Sequence, residues 1–247
     1  MLRRFIRLNQ DLSNRLIRRW PSVFGSSPYE AELRSRIWKS ISDGNVGVVI
    51  EVGGIDRPLL SKRTEFKYVG VDIDERPDCL VVYDQFIRQS IEDRLDITAQ
   101  LIVSITLLEH VPDNRAAFDT MFHALSPGGV MHHYVPSKWH PYAVLLRVLG
   151  TNLQRKLIAL LRPSALEVSG YQAFFDKCSI PEMKRALRDA GFSDLQFQAY
   201  YRANDYFSFF VPAFIAVSLF ENLARVCRVE TLASGFVFSA TKPAAHR

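Results

Sequence analysis

The sequence predicts an α/β protein: a doubly wound, mostly parallel sheet with helices on both faces, an antiparallel strand at one edge and extra helical insertions. Three observations carry this. Short β-branched runs alternate with segments of helical period. The runs lack polar alternation, as strands covered on both faces require. Acids, glycines and hydroxyls gather where the runs end, and open α/β sheets bind their ligands outside the carboxyl ends of strands.

The elements follow in order. Residues 2–20 place Leu2, Phe5, Ile6, Leu8, Leu12, Leu16, Ile17 and Trp20 among Arg3, Arg4, Arg7, Arg15, Arg18 and Arg19, with only Asp11 opposing them. That is a basic amphipathic helix with no continuous apolar core, so it does not read as a secretory signal. Three readings stay open: packing on the domain with solvated arginines, contact with an anionic membrane surface, and a targeting or nucleic-acid role. In "SSPYEAELRSRIWKSISDG" Ser27 can cap, Pro28 fits the first turn, Glu30 completes a capping box and Gly44 follows the end. "VGVVIEV" (46–52), "KYVGVDID" (67–74), "LVVYDQFIRQS" (80–90), "AQLIVSIT" (99–106) and "GVMHHYVP" (129–136) read as five strands. Between the last two, "DNRAAFDTMFHALSPGG" puts Phe118, Met121, Phe122 and Leu125 on one face and stops at its Pro-Gly-Gly. "SIPEMKRALRDAGF" opens with Ser179 and Glu182 in capping-box spacing, and "LQFQAYYR" (195–202) and "GFVFSAT" (235–241) complete the sheet. Two apolar segments, 137–163 and 205–227, read as additional helices. The second is too interrupted for a comfortable membrane span. The expected organisation is a helical, basic segment over 1–44 and one domain over 45–247, with insertions at about 137–178 and 205–228.

Composition narrows the function. The 247 residues carry a net charge of +5 and 48% hydrophobic content, and mean hydropathy is −0.01, against a polytopic membrane protein. Cys79, Cys178 and Cys227 are distant and odd in number, so neither a disulfide framework nor a zinc site is indicated, and a reducing, cytoplasmic compartment is expected, with the inner face of a membrane as an option. No metal is expected, since no H-E-x-x-H or close His/Cys cluster exists.

The first strand ends at Glu51-Val-Gly53-Gly54, where glycines let a ligand approach the backbone, and the run matches neither G-x-G-x-x-G nor the P-loop. Asp72 ends the second strand about twenty residues on, the spacing of a ribose-binding acid, with Asp74 as the alternative. The fourth strand delivers Ser104, Thr106 and "LLEHV". Glu109 and His110 there are either reactive or supporting groups. His132 and His133 point to opposite faces of their strand, so at most one faces a pocket. Asp113 reads as a helix cap and His123 as packing.

"VVIEVGG", "YVGVDID", "LIVSITLLEHVPDNRAAFDTMFHALSPGGVMHHYVP" and "MKRALRDAGF", in that order over roughly residues 45–200, resemble the class I S-adenosylmethionine-dependent methyltransferases, of the group acting on small molecules or lipids. The resemblance implies a Rossmann-like, seven-stranded fold with S-adenosyl-L-methionine as cofactor. It implies that Glu51 and the Gly53-Gly54 backbone hold the methionine portion, that Asp72 binds the ribose hydroxyls, and that Ile73 lies against the adenine. Ser90 and Ile91 fall at the adenine edge, while Ser104 and Thr106 line the path to the acceptor. Two departures stand out: "GGIDRP" replaces the family's E/D-x-G-x-G-x-G, and Gln100 stands where an Asp often opens the fourth strand.

The expected reaction is methyl transfer by in-line displacement to a small-molecule, glycan or lipid-linked acceptor, at oxygen, with His110, His133 or His140 as general base and His110 first among them. Nucleic acid is not an expected partner, and membrane contact is considered through residues 1–20 or 205–220. The competing functions are an inactive methyltransferase-like interaction module and an NAD-dependent oxidoreductase.

Overall fold

The computed structural model describes residues 1–25, 28–44, 46–145, 147–150 and 171–244. The chain forms two compact units. A sheet unit comprises Tyr29–Val135, Phe174–Gln198 and Phe236–Arg247, and a helical unit comprises Met1–Pro28, Pro136–Ala173 and Ala199–Gly235.

The sheet unit opens with α3 (Tyr29–Asp43), which follows α1 (Leu2–Arg19) and α2 (Pro21–Phe24) of the other unit. Glu30 and Glu32 sit in the first turn of α3, where they complement the helix dipole, and pair with Arg34 and Arg36 one turn on. Leu33 and Ile37 form its buried face. Ser27, the expected cap, lies outside the described residues.

Seven strands follow: β1 (Val48–Val52), β2 (Lys67–Asp72), β3 (Gln85–Arg88), β4 (Ala99–Ile105), β5 (Leu125–Pro136), β6 (Ser193–Tyr200) and β7 (Gly235–Thr241). Their order is β3-β2-β1-β4-β5-β7-β6, the doubly wound sheet expected. β1 pairs in parallel with β2 and with β4, in register Ile50 to Val69 and Ile50 to Ile102. These residues are fully buried, which explains why the sequence shows apolar runs without alternation. Six strands are parallel and the antiparallel one belongs to the outer pair at one edge. It is β7, whose flank exchanges reciprocal bonds with that of β5: Gly128 N–H to the Lys242 carbonyl and Lys242 N–H to the Gly129 carbonyl, both 2.9 Å.

Local differences from the sequence reading have identifiable causes. Residues 80–82 form part of a short helix, α4 (Cys79–Val82), before β3. The Tyr83 N–H closes on the Cys79 carbonyl at 2.8 Å, which turns the Tyr83 ring into the core. α5 (Asn114–Ala124) ends before the Pro-Gly-Gly, which is already strand. Asp113 caps α5, accepting from the Arg115 and Ala116 N–H groups. Ser179 occupies the cap position of α6 (Ile180–Asp189), yet its hydroxyl donates to the Glu182 carboxylate rather than accepting from a helix N–H. Gln100 pins the start of β1, because its Oε1 accepts the Gly47 and Val48 N–H groups at 3.0 and 2.9 Å.

In the helical unit, α7 (Val211–Val226) follows a 3-10 turn at Asn204–Phe207, with Pro212 in its first turn. Phe24 of α2 stacks on Phe214 of α7 at 5.5 Å, and Asn204 ties the Phe24 carbonyl to the Ser218 hydroxyl. Residues 141–145 and 147–150 are helical, and 151–163, the remainder of one expected helix, lie outside the described residues. Among the described residues no helix is long and apolar enough to cross a membrane.

Candidate functional site

The carboxyl ends of β1, β2 and β4 lie side by side in the sheet, and the chain leaves β1 through a turn that only glycines fit. Gly53 has φ +70°, and a Cβ there would stand 2.5 Å from Leu107 Cδ1. The Gly53 N–H donates to the Val71 carbonyl at 2.9 Å, so the turn is bonded to the end of β2. A Cβ on Gly54 would lie 2.6 Å from both Glu51 Oε2 and the Tyr83 hydroxyl.

Glu51 is fully buried. Its Oε1 accepts the Leu59 N–H at 2.8 Å, and its Oε2 accepts the Tyr83 hydroxyl at 3.1 Å and the Tyr68 hydroxyl. Burial pushes its pKa up to about 7, against the opposing pull of those donors, and burial with the Glu51 charge pushes both tyrosines far up. The carboxyl group therefore faces the core and braces the glycine turn. The family resemblance puts it against the methionine portion of a cofactor, but its oxygens are already engaged by the protein. Tyr68 and Tyr83 were not legible as its partners, because both sit in runs that read simply as strand.

Asp72 ends β2. Burial raises its pKa, and the Asp74 N–H donates to its Oδ1 at 3.2 Å. The Gly53 N–H on the Val71 carbonyl, one residue before Asp72, sets this carboxylate beside the glycine turn. Ile73, immediately after, is 59% exposed: a carboxylate beside an uncovered apolar surface suits a diol joined to a flat ring. The Gln89 N–H donates to the Asp72 carbonyl at 2.8 Å, which brings Ser90 and Ile91 to the same edge. Ile91 is buried, and the Ser90 hydroxyl donates to Glu92 Oε2 at 3.1 Å.

The residues after β4 are tightly constrained. Thr106 takes φ 52°, strained for a β-branched residue, with its N–H donating to the Tyr134 carbonyl at 3.1 Å. The next turn, Leu108–His110, is clamped by Asn114, whose Nδ2 donates to the Leu108 carbonyl at 2.8 Å, and by the Phe174 and Phe175 N–H groups on the Glu109 carbonyl. Glu109 is buried, its Oε2 has no partner among the described residues, and burial raises its pKa to about 8. Its Oε1 lies 3.8 Å from His110 Nε2, and the His110 side chain is 32% exposed.

The other two histidines are enclosed. His133 is fully buried; its Nδ1 meets the Ser104 hydroxyl at 2.6 Å, and burial lowers its pKa to about 3, leaving the ring neutral. Ser104 is correspondingly buried and paired. His132 turns to the other side of the sheet, between Ser40 at 2.8 Å and Ser239 at 2.7 Å. His140 belongs to the helical unit, where it is fully buried against Glu221 at 3.1 Å. Of the three expected bases, only His110 presents surface.

Residues 27–196 match the model of a methyltransferase domain. No curated protein matches closely enough to count as a relative. Among solved structures, the CurJ carbon methyltransferase is 13% identical at TM-score 0.54, over 87% of this chain and 54% of that one. Phosphoethanolamine N-methyltransferase 2 of Haemonchus contortus, in complex with S-adenosyl-L-methionine, is 13% identical at TM-score 0.52, over 92% and 59%. A SAM-dependent methyltransferase from Archaeoglobus fulgidus is 13% identical at TM-score 0.52, over 89% and 96%. This chain thus spans little more than half the length of the first two, and at such identities the likeness is one of fold. The fold, the glycine turn beside Asp72 and a family match over most of the length agree: the chain belongs to the methyltransferase-domain family.

Proposed function

We propose that this protein is an S-adenosylmethionine-dependent methyltransferase acting on a hydroxyl oxygen of a small-molecule, glycan or lipid-linked acceptor, in the cytoplasm. The observation that carries the cofactor reading is the edge formed by the Gly53 turn, the Asp72 carboxylate and the exposed Ile73. The cofactor supplies an electrophilic methyl carbon on a sulfonium. Asp72 accepts hydrogen bonds from the ribose hydroxyls, Ile73 covers one face of the adenine, and Ser90 and Ile91 bound its edge. The Gly53-Gly54 backbone admits the methionine portion, while Glu51 acts through the turn it braces.

His110 supports the oxygen reading, being the one proposed base with exposed surface. It would take the acceptor's hydroxyl proton as the oxygen bonds the methyl carbon and the carbon–sulfur bond breaks, its electron pair leaving on sulfur as the neutral thioether S-adenosylhomocysteine. Alignment with exclusion of water supplies the rest of the acceleration. Ser104 is held by His133, and Thr106, with its strained backbone, stands between these groups and the β4 turn.

The test is a transfer assay with methyl-labelled S-adenosylmethionine across hydroxyl-bearing small molecules, glycans and lipid-linked sugars. At least one is expected to yield an O-methyl product. With that acceptor, His110→Ala is expected to lower kcat roughly 100-fold or more while cofactor affinity stays unchanged. Methylation of amines alone, or undiminished turnover in the variant, contradicts the proposal.

A further inference from the structure

Two neighbouring helices of the helical unit bury polar groups while leaving a row of apolar side chains exposed. α1 turns Asn9 and Ser13 inward: Asn9 Oδ1 accepts the Val211 N–H at 3.0 Å, and the Ser13 hydroxyl donates to the Ser208 carbonyl at 3.2 Å. Only Ile6 among its apolar residues is buried, while Phe5, Leu8 and Leu12 are 40–59% exposed. α7 buries Phe214 and Ala224 together with polar groups. Ser218 and Glu221 are fully buried, Ser218 in bonds with Asn204 and the Phe214 carbonyl, and Glu221 with His140 and the Ala203 N–H. Leu219, Leu223 and Val226, at helical spacing, are 57–74% exposed. A helix that packed only for internal stability would place these apolar rows inward. Here Ile6, Phe214 and Ala224 are buried beside the polar groups that fix each helix, and the rows of Phe5, Leu8 and Leu12 and of Leu219, Leu223 and Val226 are left outside.

The charge around the rows selects a partner. Arg3, Arg4, Arg7, Arg15, Arg18 and Arg19 lie along α1, with Asp11 the one acid in the helix. Trp20 follows, half exposed, with the Arg19 guanidinium 5.6 Å from its ring centre. Exposed leucine and phenylalanine edged by arginine, with a tryptophan at the helix end, match a bilayer interface bearing negative headgroups. A second copy of the chain is a poor match, because it would bring the same arginines face to face.

We propose that the outward faces of α1 and α7 form a docking surface for an anionic phospholipid bilayer, on which both helices lie without crossing. The inference is independent of methyl transfer: cofactor binding and vesicle binding are separate measurements, and either can fail alone.

The experiment is sedimentation of the full chain with vesicles of phosphatidylcholine alone, and of phosphatidylcholine with 30 mol% phosphatidylglycerol (about one lipid in three charged), at low and high salt. Binding is expected to the anionic vesicles only, falling as salt rises. Leu8→Glu with Leu12→Glu, and separately Leu219→Glu with Leu223→Glu, are each expected to lower partitioning at least about 10-fold, in protein whose thermal melting matches the parent. Should either pair fail to fold, Arg3→Gln, Arg4→Gln and Arg7→Gln together decide the matter, with an expected loss on the order of 100-fold. Three results overturn the proposal: no binding to either vesicle, equal binding to both that the variants leave unchanged, or a chain that sediments as a dimer broken by the same leucine substitutions. Capture of an acidic protein through this face, with no vesicle binding, overturns it as well.

Discussion

Gly54→Ala is expected to destabilise the protein by about 3 kcal/mol, from overpacking and disruption of a buried polar cluster. The new methyl group would stand 2.6 Å from Glu51 Oε2 and from the Tyr83 hydroxyl. Neither can retreat freely, because Glu51 also holds the Leu59 N–H and the Tyr68 hydroxyl, and both rings lie in the core. Gly128→Ala provides the control: its φ is +79° but nothing lies within 4 Å of an added Cβ, so only the backbone term of roughly 1–2 kcal/mol applies. Urea midpoints of the two variants check this. Equal losses would mean that the Glu51 cluster does not brace the turn.

The second large effect falls on binding. Asp72→Ala is expected to weaken S-adenosylmethionine at least about 100-fold, because two hydrogen bonds to a charged acceptor are lost at roughly 1.5–3 kcal/mol each. Asp74→Ala is expected to change affinity only slightly. Asp72 closes β2 and is held by the Asp74 N–H at 3.2 Å, whereas Asp74 lies beyond the strand and is exposed. Calorimetric titration of both variants decides between these acids, and the reverse order of effects would assign the ribose contact to Asp74.

Much of the sheet was legible because its strands are buried on both faces. Val49, Ile50, Leu101 and Ile102 need no polar alternation and show none. The third strand was harder to place, since "LVVY" suits a strand by composition, yet its backbone closes into α4 and only Tyr83 turns inward. The strand-end positions of Asp72 and the glycine turn could be read from spacing, while the ligand contacts expected of them await the binding measurements. Glu51 could not be read that way. Its partners Tyr68 and Tyr83 come from two other elements, and a sequence does not show which direction a strand-end carboxylate faces. The same holds for the three histidines: burial against Ser104 or Glu221 is set by tertiary packing, which residue type does not reveal. The two helices with buried polar groups are the clearest case. A periodic pattern reveals two faces, but inward bonds from Asn9, Ser13, Ser218 and Glu221 determine which face is turned to solvent.

The edge formed by Gly53, Gly54, Asp72 and Ile73 is proposed to bind a sulfonium nucleoside. Isothermal titration of the unmodified protein with S-adenosylmethionine, S-adenosylhomocysteine and NAD tests it most directly. Saturable one-to-one binding of the first two and none of NAD is expected. Binding of NAD alone, or of none of the three, would contradict it.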